Sequence, residues 1–166
     1  MSKQPKMRVL PDGSKEWLLR GKLHREDGPA REDADGTKNW CLNGKLHRID
    51  GPAVEWDDRP NEWFLNGKRH RSDGPAVERP NGTKEWWLNG NLHRTDGPAV
   101  EHADGTKEWR LNGKFHRTDG PAIEWANGSK EWRLNGKAIS WQELFRQAND
   151  PETELRILSH VDNFLT

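Results

Sequence analysis

Five His-Arg pairs begin at His24, His47, His70, His93 and His116, and every step between them is 23 residues. Two residues after each Arg comes Asp-Gly-Pro-Ala, starting at Asp27, Asp50, Asp73, Asp96 and Asp119. Imidazole, guanidinium and carboxylate at fixed intervals admit three chemistries: metal ligation, anion binding, and acid–base or calcium chemistry. Spacing weighs against each. If a repeat contributes two strands at roughly 4.8 Å, equivalent His lie about 10 Å apart. That is too far to share an ion, whose bonds to His nitrogens are about 2.0–2.1 Å. A row of Arg25, Arg48, Arg71, Arg94 and Arg117 could follow a phosphate backbone, with Trp stacking on bases. A facing Glu is expected to neutralise four of the five. Asp before Gly is more often a turn residue whose carboxylate caps local amides, and no Asp-x-Asp-x-Asp loop supports calcium. Catalysis needs one asymmetric constellation, whereas every candidate here is repeated. There is no nucleophile elbow and no phosphate-cradling Gly loop. The expectation is a non-enzymatic chain with no metal and no cofactor.

The elements that must hold these groups are short hairpins. Trp17, Trp40, Trp63, Trp86, Trp109 and Trp132 share the 23-residue step, and no insertion disturbs it. Such constancy implies that each repeat stacks on the next. Asn43-Gly44, Asn66-Gly67, Asn89-Gly90, Asn112-Gly113 and Asn135-Gly136 are two-residue hairpin signals, since Asn and Gly tolerate the positive φ of a type I′ turn. Arg20-Gly21 holds that place first. A second turn falls at Asp12-Gly13, Asp35-Gly36, Asn81-Gly82, Asp104-Gly105 and Asn127-Gly128, but the third repeat has Asp58-Arg59-Pro60 there. The result is an antiparallel meander.

The hairpin register pairs Trp109 with His116, Arg110 with Phe115 and Glu108 with Arg117. Because side chains alternate, Trp109, Leu111, Lys114 and His116 share one face. Glu108, Arg110, Phe115 and Arg117 share the other. The same rule gives Trp17–His24, Trp40–His47, Trp63–His70 and Trp86–His93. It also gives the acid–base pairs Glu16–Arg25, Glu62–Arg71 and Glu85–Arg94. Stacked Trp and Leu are then the apolar spine, and Val54, Val77, Val100 and Ile123 join the core. Pro cannot donate within a ladder, so Gly-Pro-Ala marks where the second strand leaves the hairpin.

Composition agrees with a thin structure. The chain has 166 residues, of which 31% are hydrophobic and 33% charged, with ten Trp. That many aromatics argues against disorder. Lys+Arg and Asp+Glu are equal at 27, so net charge gives no case for nucleic acid or an anionic membrane as the main partner. The single Cys41 forms no internal disulfide. No signal peptide or membrane span is evident, and a cytoplasmic location is expected.

The pattern stops after Ile139. Ser140 with Glu143 reads as a capping box opening a helix over 141–148. Asp150-Pro151 opens a second helix reaching about Phe164. Leu144, Phe145, Leu155, Ile157, Leu158, Val161, Phe164 and Leu165 are the apolar supply of the two helices. The organisation expected is a disordered 1–8, a repeat array over 9–139 and a helical cap over 140–166.

The motif Trp-x-Leu-Asn-Gly-Lys-x-His-Arg-x-Asp-Gly-Pro-Ala on a 23-residue period resembles a variant of the MORN (membrane occupation and recognition nexus) repeat. It is also similar to the Trp- and His-Arg-x-Asp-Gly-Pro-Ala-rich repeat proteins of bacteriophages and large DNA viruses. The resemblance covers roughly 9–139. It implies a mainly β, elongated, single twisted sheet or solenoid with a groove. Its implied uses are protein contacts, self-association or, in some members, lipid headgroups. Here Trp replaces the usual Tyr or Phe, and Arg replaces the Gly that normally follows the His.

Residues outside the consensus point to a partner. Phe64, Trp87 and Phe115 lie on the face opposite the Trp spine, rimmed by Glu and Arg such as Arg71, Arg94 and Arg117. An aromatic patch of this kind fits a protein-interaction surface, unless Gly-Pro-Ala segments or the C-terminal helices cover it. The leading expectation is capture of a protein, a host factor if the chain is viral. An anionic small molecule or nucleotide held between Arg and Trp of neighbouring repeats is the second. A structural scaffold or homodimer is the third.

Overall fold

A computed structural model describes residues 4–161 of the chain. It is mainly β, with 22 short strands in antiparallel pairs and two helices at the C-terminal end. No helix among the described residues is long and apolar enough to cross a membrane. Two compact units are distinguished, 1–90 and 91–166.

In the first unit, strands Lys6–Val9, Lys15–Leu19, Arg31–Glu32, Lys38–Asn39 and Val54–Glu55 lie side by side. Lys15 sits opposite Glu32, Arg31 opposite Asn39, and Asn39 opposite Val54. Separate hairpins join Cys41–Leu42 to Lys45–Leu46, and Phe64–Leu65 to Lys68–Arg69. A repeat therefore feeds two ladders rather than the single sheet expected, and Trp is where the strand passes between them. The Trp40 N–H donates to the Ala53 carbonyl in one ladder, while the Trp40 carbonyl accepts from His47 N–H in the other. Trp63 does the same with Ala76 and His70. In the second unit Trp109 does so with Ala122 and His116.

Turn chemistry follows the sequence. Asn43, Asn66, Asn89, Asn112 and Asn135 have φ of 50–53°, and the glycine after each is also positive. These are the paired positive angles of a type I′ turn. The second turn is a different device, a type I turn closed by a left-handed Gly. Gly36 has φ 90°, its N–H bonds the Asp33 carbonyl, and the Asp35 carboxylate accepts from Thr37 N–H. The third repeat has no such glycine. There Trp56 N–H donates to the Asn61 side chain, and pairing thins to the single bridges Val54–Glu62 and Glu62–Val77.

The dry core is not the Trp/Leu spine. Ala30, Ala53, Ala76, Ala99 and Ala122 are wholly buried, and Val54, Val77, Val100 and Ile123 beside them nearly so. The repeat Trp and Leu are half-buried. Each Trp marks the passage between ladders, so one side of it stays near water. The Ala lies inside, where only a methyl fits.

Of the segment 1–8, for which disorder is expected, residues 1–3 lie outside the described residues and the remainder departs from that expectation. Lys6–Val9 is a strand, with Arg8 opposite Glu16 and its guanidinium bonded to that carboxylate at 2.7 Å. At the other end, helix α1 spans Trp141–Gln147 and helix α2 spans Pro151–Ser159. Ser140 and Asp150 cap them by accepting from Glu143 and Thr153 N–H. Leu144 and Ile157 are buried, whereas Leu155, expected among the apolar contacts, is exposed. Phe164 and Leu165 lie outside the described residues.

Candidate functional site

The recurring Arg does not pair with the facing Glu. Arg25 Nε donates to Asp27 at 2.9 Å, and Nη1 reaches the Pro29 carbonyl at 3.4 Å. Arg48 repeats this with Asp50 and Pro52 and adds Glu55 at 2.6 Å. Arg71 repeats it with Asp73 and Pro75. In the second unit Arg94 holds Asp96 and Pro98, and Arg117 holds Asp119 and Pro121. The guanidiniums of Arg25, Arg48, Arg71 and Arg117 also lie over the Trp of their own repeat. The distances are 4.2 Å for Arg25 on Trp17, 4.2 Å for Arg48 on Trp40, 4.1 Å for Arg71 on Trp63 and 4.0 Å for Arg117 on Trp109.

The other side of the guanidinium explains the glycine of Asp-Gly-Pro-Ala. A Cβ on Gly51 would stand 2.7 Å from Arg48 Cζ, and one on Gly74 would stand 2.9 Å from Arg71 Cζ. The glycine admits a cation sandwiched between indole and backbone, a cation–π contact with its edge hydrogen-bonded. The Asp27, Asp50, Asp73 and Asp96 carboxyls are held below the usual carboxylate range, first by the hydrogen bond from Arg.

The expected pairs Glu16–Arg25, Glu62–Arg71 and Glu85–Arg94 are therefore corrected. The strand changes partner at the Arg, whose N–H bonds the next hairpin: Arg25 to Cys41, Arg48 to Phe64 and Arg71 to Trp87. The glutamates sit in the Ala-Val ladder and find other cations. Glu16 binds Arg8 and Arg31, Glu62 binds Arg69, and Glu85 binds Arg79.

The histidines tie one hairpin to the next. His47 Nδ1 accepts from Asn66 N–H at 3.3 Å and lies 2.9 Å from Asn66 Oδ1. His70 meets Asn89, and His93 and His116 meet Asn112 and Asn135, in the same way. The nitrogen accepts from the amide when bare and donates to the side-chain oxygen when protonated. His24 joins Asn43 N–H only through Nδ1, at 3.1 Å. Among the described residues no cluster of His, Cys, Asp or Glu is placed to hold a metal ion.

Between successive Arg-x-Asp loops the surface is hollow. In the first unit one hollow of about 450 Å³ has Trp40, Leu42 and His47 as its floor, with Arg25–Asp27 and Arg48–Asp50 as its walls. The next, about 370 Å³, has Trp63, Leu65 and His70 as its floor and shares the Arg48–Asp50 wall with the first. The second unit has its own, about 510 Å³, over Trp109, Leu111 and His116, with Arg156 of α2 at the rim.

The six residues singled out for partner binding divide. Arg71 lines a hollow of the first unit, and Arg94 and Arg117 line that of the second. Phe64, Trp87 and Phe115 line none of these hollows. Arg69 stands 5.6 Å from the Phe64 ring and 5.6 Å from the Trp87 ring, bonded to Glu62. Trp87 Nε1 donates to Glu85. In the second unit Arg110 covers Phe115 at 3.6 Å while bonded to Glu108. On that side the rings carry Arg–Glu pairs, whereas on the Trp-Leu-His side they floor the hollows. The hollows were foreshadowed by the shared face of Trp, Leu and His, but their walls depend on Arg turning back onto its own Trp. Comparison with protein-family models and with curated proteins gave no match for this chain.

Proposed function

We propose that the chain is a non-enzymatic binding protein whose partner is a protein docked on the Trp-Leu-His hollows. One observation carries the reading: consecutive repeats present the same open, aromatic-floored hollow with charged walls, contiguous in the first unit through the shared wall Arg48–Asp50. Concave sites with apolar floors and a few fixed polar groups are where ligands bind. Ile49, 81% exposed on that shared wall, is an apolar contact available to a partner. The resemblance to viral and phage repeat proteins adds that this partner is a host factor. Anion capture by the Arg row fits less well, because Nε and Nη1 of each Arg are engaged within the repeat.

The test is affinity capture from host lysate with the wild type, with Leu42→Gln/Leu65→Gln and with Trp87→Ala, after thermal melts establish that both variants fold. A specific partner kept by Trp87→Ala and lost by the hollow variant is the expected result. The opposite pattern would move the docking face to the aromatic side.

A further inference from the structure

The first unit says more about what lies in its hollows. We propose that they hold an extended polyproline II segment carrying basic residues, which sets one apolar side chain or proline ring into each hollow at every third position. This rests on the reading that the hollows dock a protein, and it commits that protein to one backbone form and one charge.

The first ground is spacing. The floors at Trp40 and Trp63 belong to consecutive hairpins laid edge to edge, through Arg48 N–H to the Phe64 carbonyl and Gly67 N–H to the Leu46 carbonyl. Two strands per hairpin at roughly 4.8 Å put equivalent floors about 10 Å apart. Polyproline II returns a side chain to the same side every third residue, a rise of about 9.3 Å. A β-strand offers one face only every second residue, about 6.6 or 13 Å, and matches neither. An α-helix matches at seven residues, about 10.5 Å. Its intervening turn would then land on the ridge at Ile49.

Charge is the second ground. Walls of Arg and Asp are formally neutral, but the two signs are not equally presented. The side chains of Asp27, Asp50 and Asp73 are 84%, 84% and 74% exposed, while Arg25, Arg48 and Arg71 are 23%, 23% and 24% exposed beneath them. Within the walls the solvent-facing charge is therefore acidic, and it complements Lys and Arg in the segment; the exposed Lys45 and Lys68 of the same hairpin face do not line the hollows. The floor is the third ground. Flat indole beside Leu is the surface on which proline rings and their flanking carbonyls pack in aromatic grooves, and polyproline II loses little entropy on docking because it is already extended.

The experiment uses the full chain and four labelled synthetic peptides of equal length, read by fluorescence anisotropy. One is basic with Pro-x-x spacing, and one has the same residues rearranged to a period of two. A third is a basic Ala-rich helix with Leu seven residues apart. The fourth is the Pro-x-x peptide with Glu for each Lys and Arg. The basic Pro-x-x peptide is expected to bind at least about tenfold more tightly than the others. That binding should weaken by a similar factor in Leu42→Gln/Leu65→Gln, and more modestly in Asp27→Asn/Asp73→Asn, which keeps the floor. Equal binding of all three basic peptides would reduce the effect to bulk charge and overturn the proposal. Preference for the helix would overturn it while keeping the docking surface. Failure of every peptide, with the captured partner still sensitive to the hollow variant, would overturn the segment and leave the docking reading standing. If both fail, both fall.

Discussion

Each repeat supplies two ladders, and burial in them runs against side-chain size. Along the Ala-Val ladder, Ala53 and Ala76 are sealed completely and Val54 and Val77 nearly so. Along the hairpin ladder, Trp40, Trp63, Leu42 and Leu65 are only half-covered. In a chain this polar the interior is thin, and small residues fill it. The large residues act as plates on which cations lie and as floors that partners can reach. A residue's size told how much area it could bury; its place relative to the strand's passage between ladders decided how much it does.

That contrast can be broken by mutation. The largest effect is expected for Ala76→Leu, where overpacking should cost about 3 kcal/mol. Leu65→Ala, on the half-open floor, should cost only about 1 kcal/mol. Urea unfolding measures both, and a reversed order would exchange the roles of the ladders. Next comes the Arg sandwich. Arg48→Ala removes the contact with Trp40 and the bonds to Asp50, Pro52 and Glu55. It is expected to cost about 2 kcal/mol, and Arg48→Lys should recover less than half, since a point charge cannot use both edges of the site. Gly51→Ala should cost about 1–2 kcal/mol in the wild type and little when Arg48 is already Ala. A double-mutant cycle reads the coupling.

A smaller effect sharpens the comparison at the helical end of the second unit. His160 packs edge-on against Trp132, its Nε2 lies 3.2 Å from Arg117 Nη2, and Glu124 and the Lys130 side chain complete its surroundings. Burial and then the Arg117 charge push its pKa below the ordinary value of 6.5. The folded state thus binds fewer protons than the unfolded state as pH falls below 6.5. The stabilisation is fully present above that pH and is lost progressively below it. Unfolding free energies across pH 8 to 5 should show this slope, and His160→Gln should flatten it. A further acid loss, below the ordinary carboxylate range, is expected as Asp27, Asp50, Asp73 and Asp96 protonate and release Arg. The smallest effect is at the irregular joint. Arg59→Gly/Pro60→Thr/Asn61→Lys gives the third repeat the turn of its neighbours and should add about 0.5–1 kcal/mol. Slower amide exchange at Glu62 would accompany it.

Much of this was readable in the chain. Asn-Gly at a constant step fixed the hairpins and their register, down to Arg110 opposite Phe115. Ser140 and Asp150 fixed both helix starts, and Val54, Val77, Val100 and Ile123 were rightly placed in the core. What stayed hidden came from one event, the change of strand partner at Trp and Arg. Alternation alone carries Arg48 to the far face, whereas its amide leaves the hairpin for Phe64 and its side chain folds back over Trp40. The signal was present as Arg-x-Asp-Gly-Pro, where a glycine with ordinary φ marks close approach rather than a turn. Arg69 and Arg110 lie over Phe64 and Phe115 as their direct partners within one hairpin, which the register already gave for Arg110; what alternation did not give is that each cation also binds a glutamate, Glu62 or Glu108, of the other ladder.

The most direct test of the docking surface is site-specific photocrosslinking in host lysate, with the probe placed once at Ile49 and once at Trp87. A specific protein adduct from position 49 and none from position 87 is the predicted result. Crosslinking from position 87 alone would contradict it.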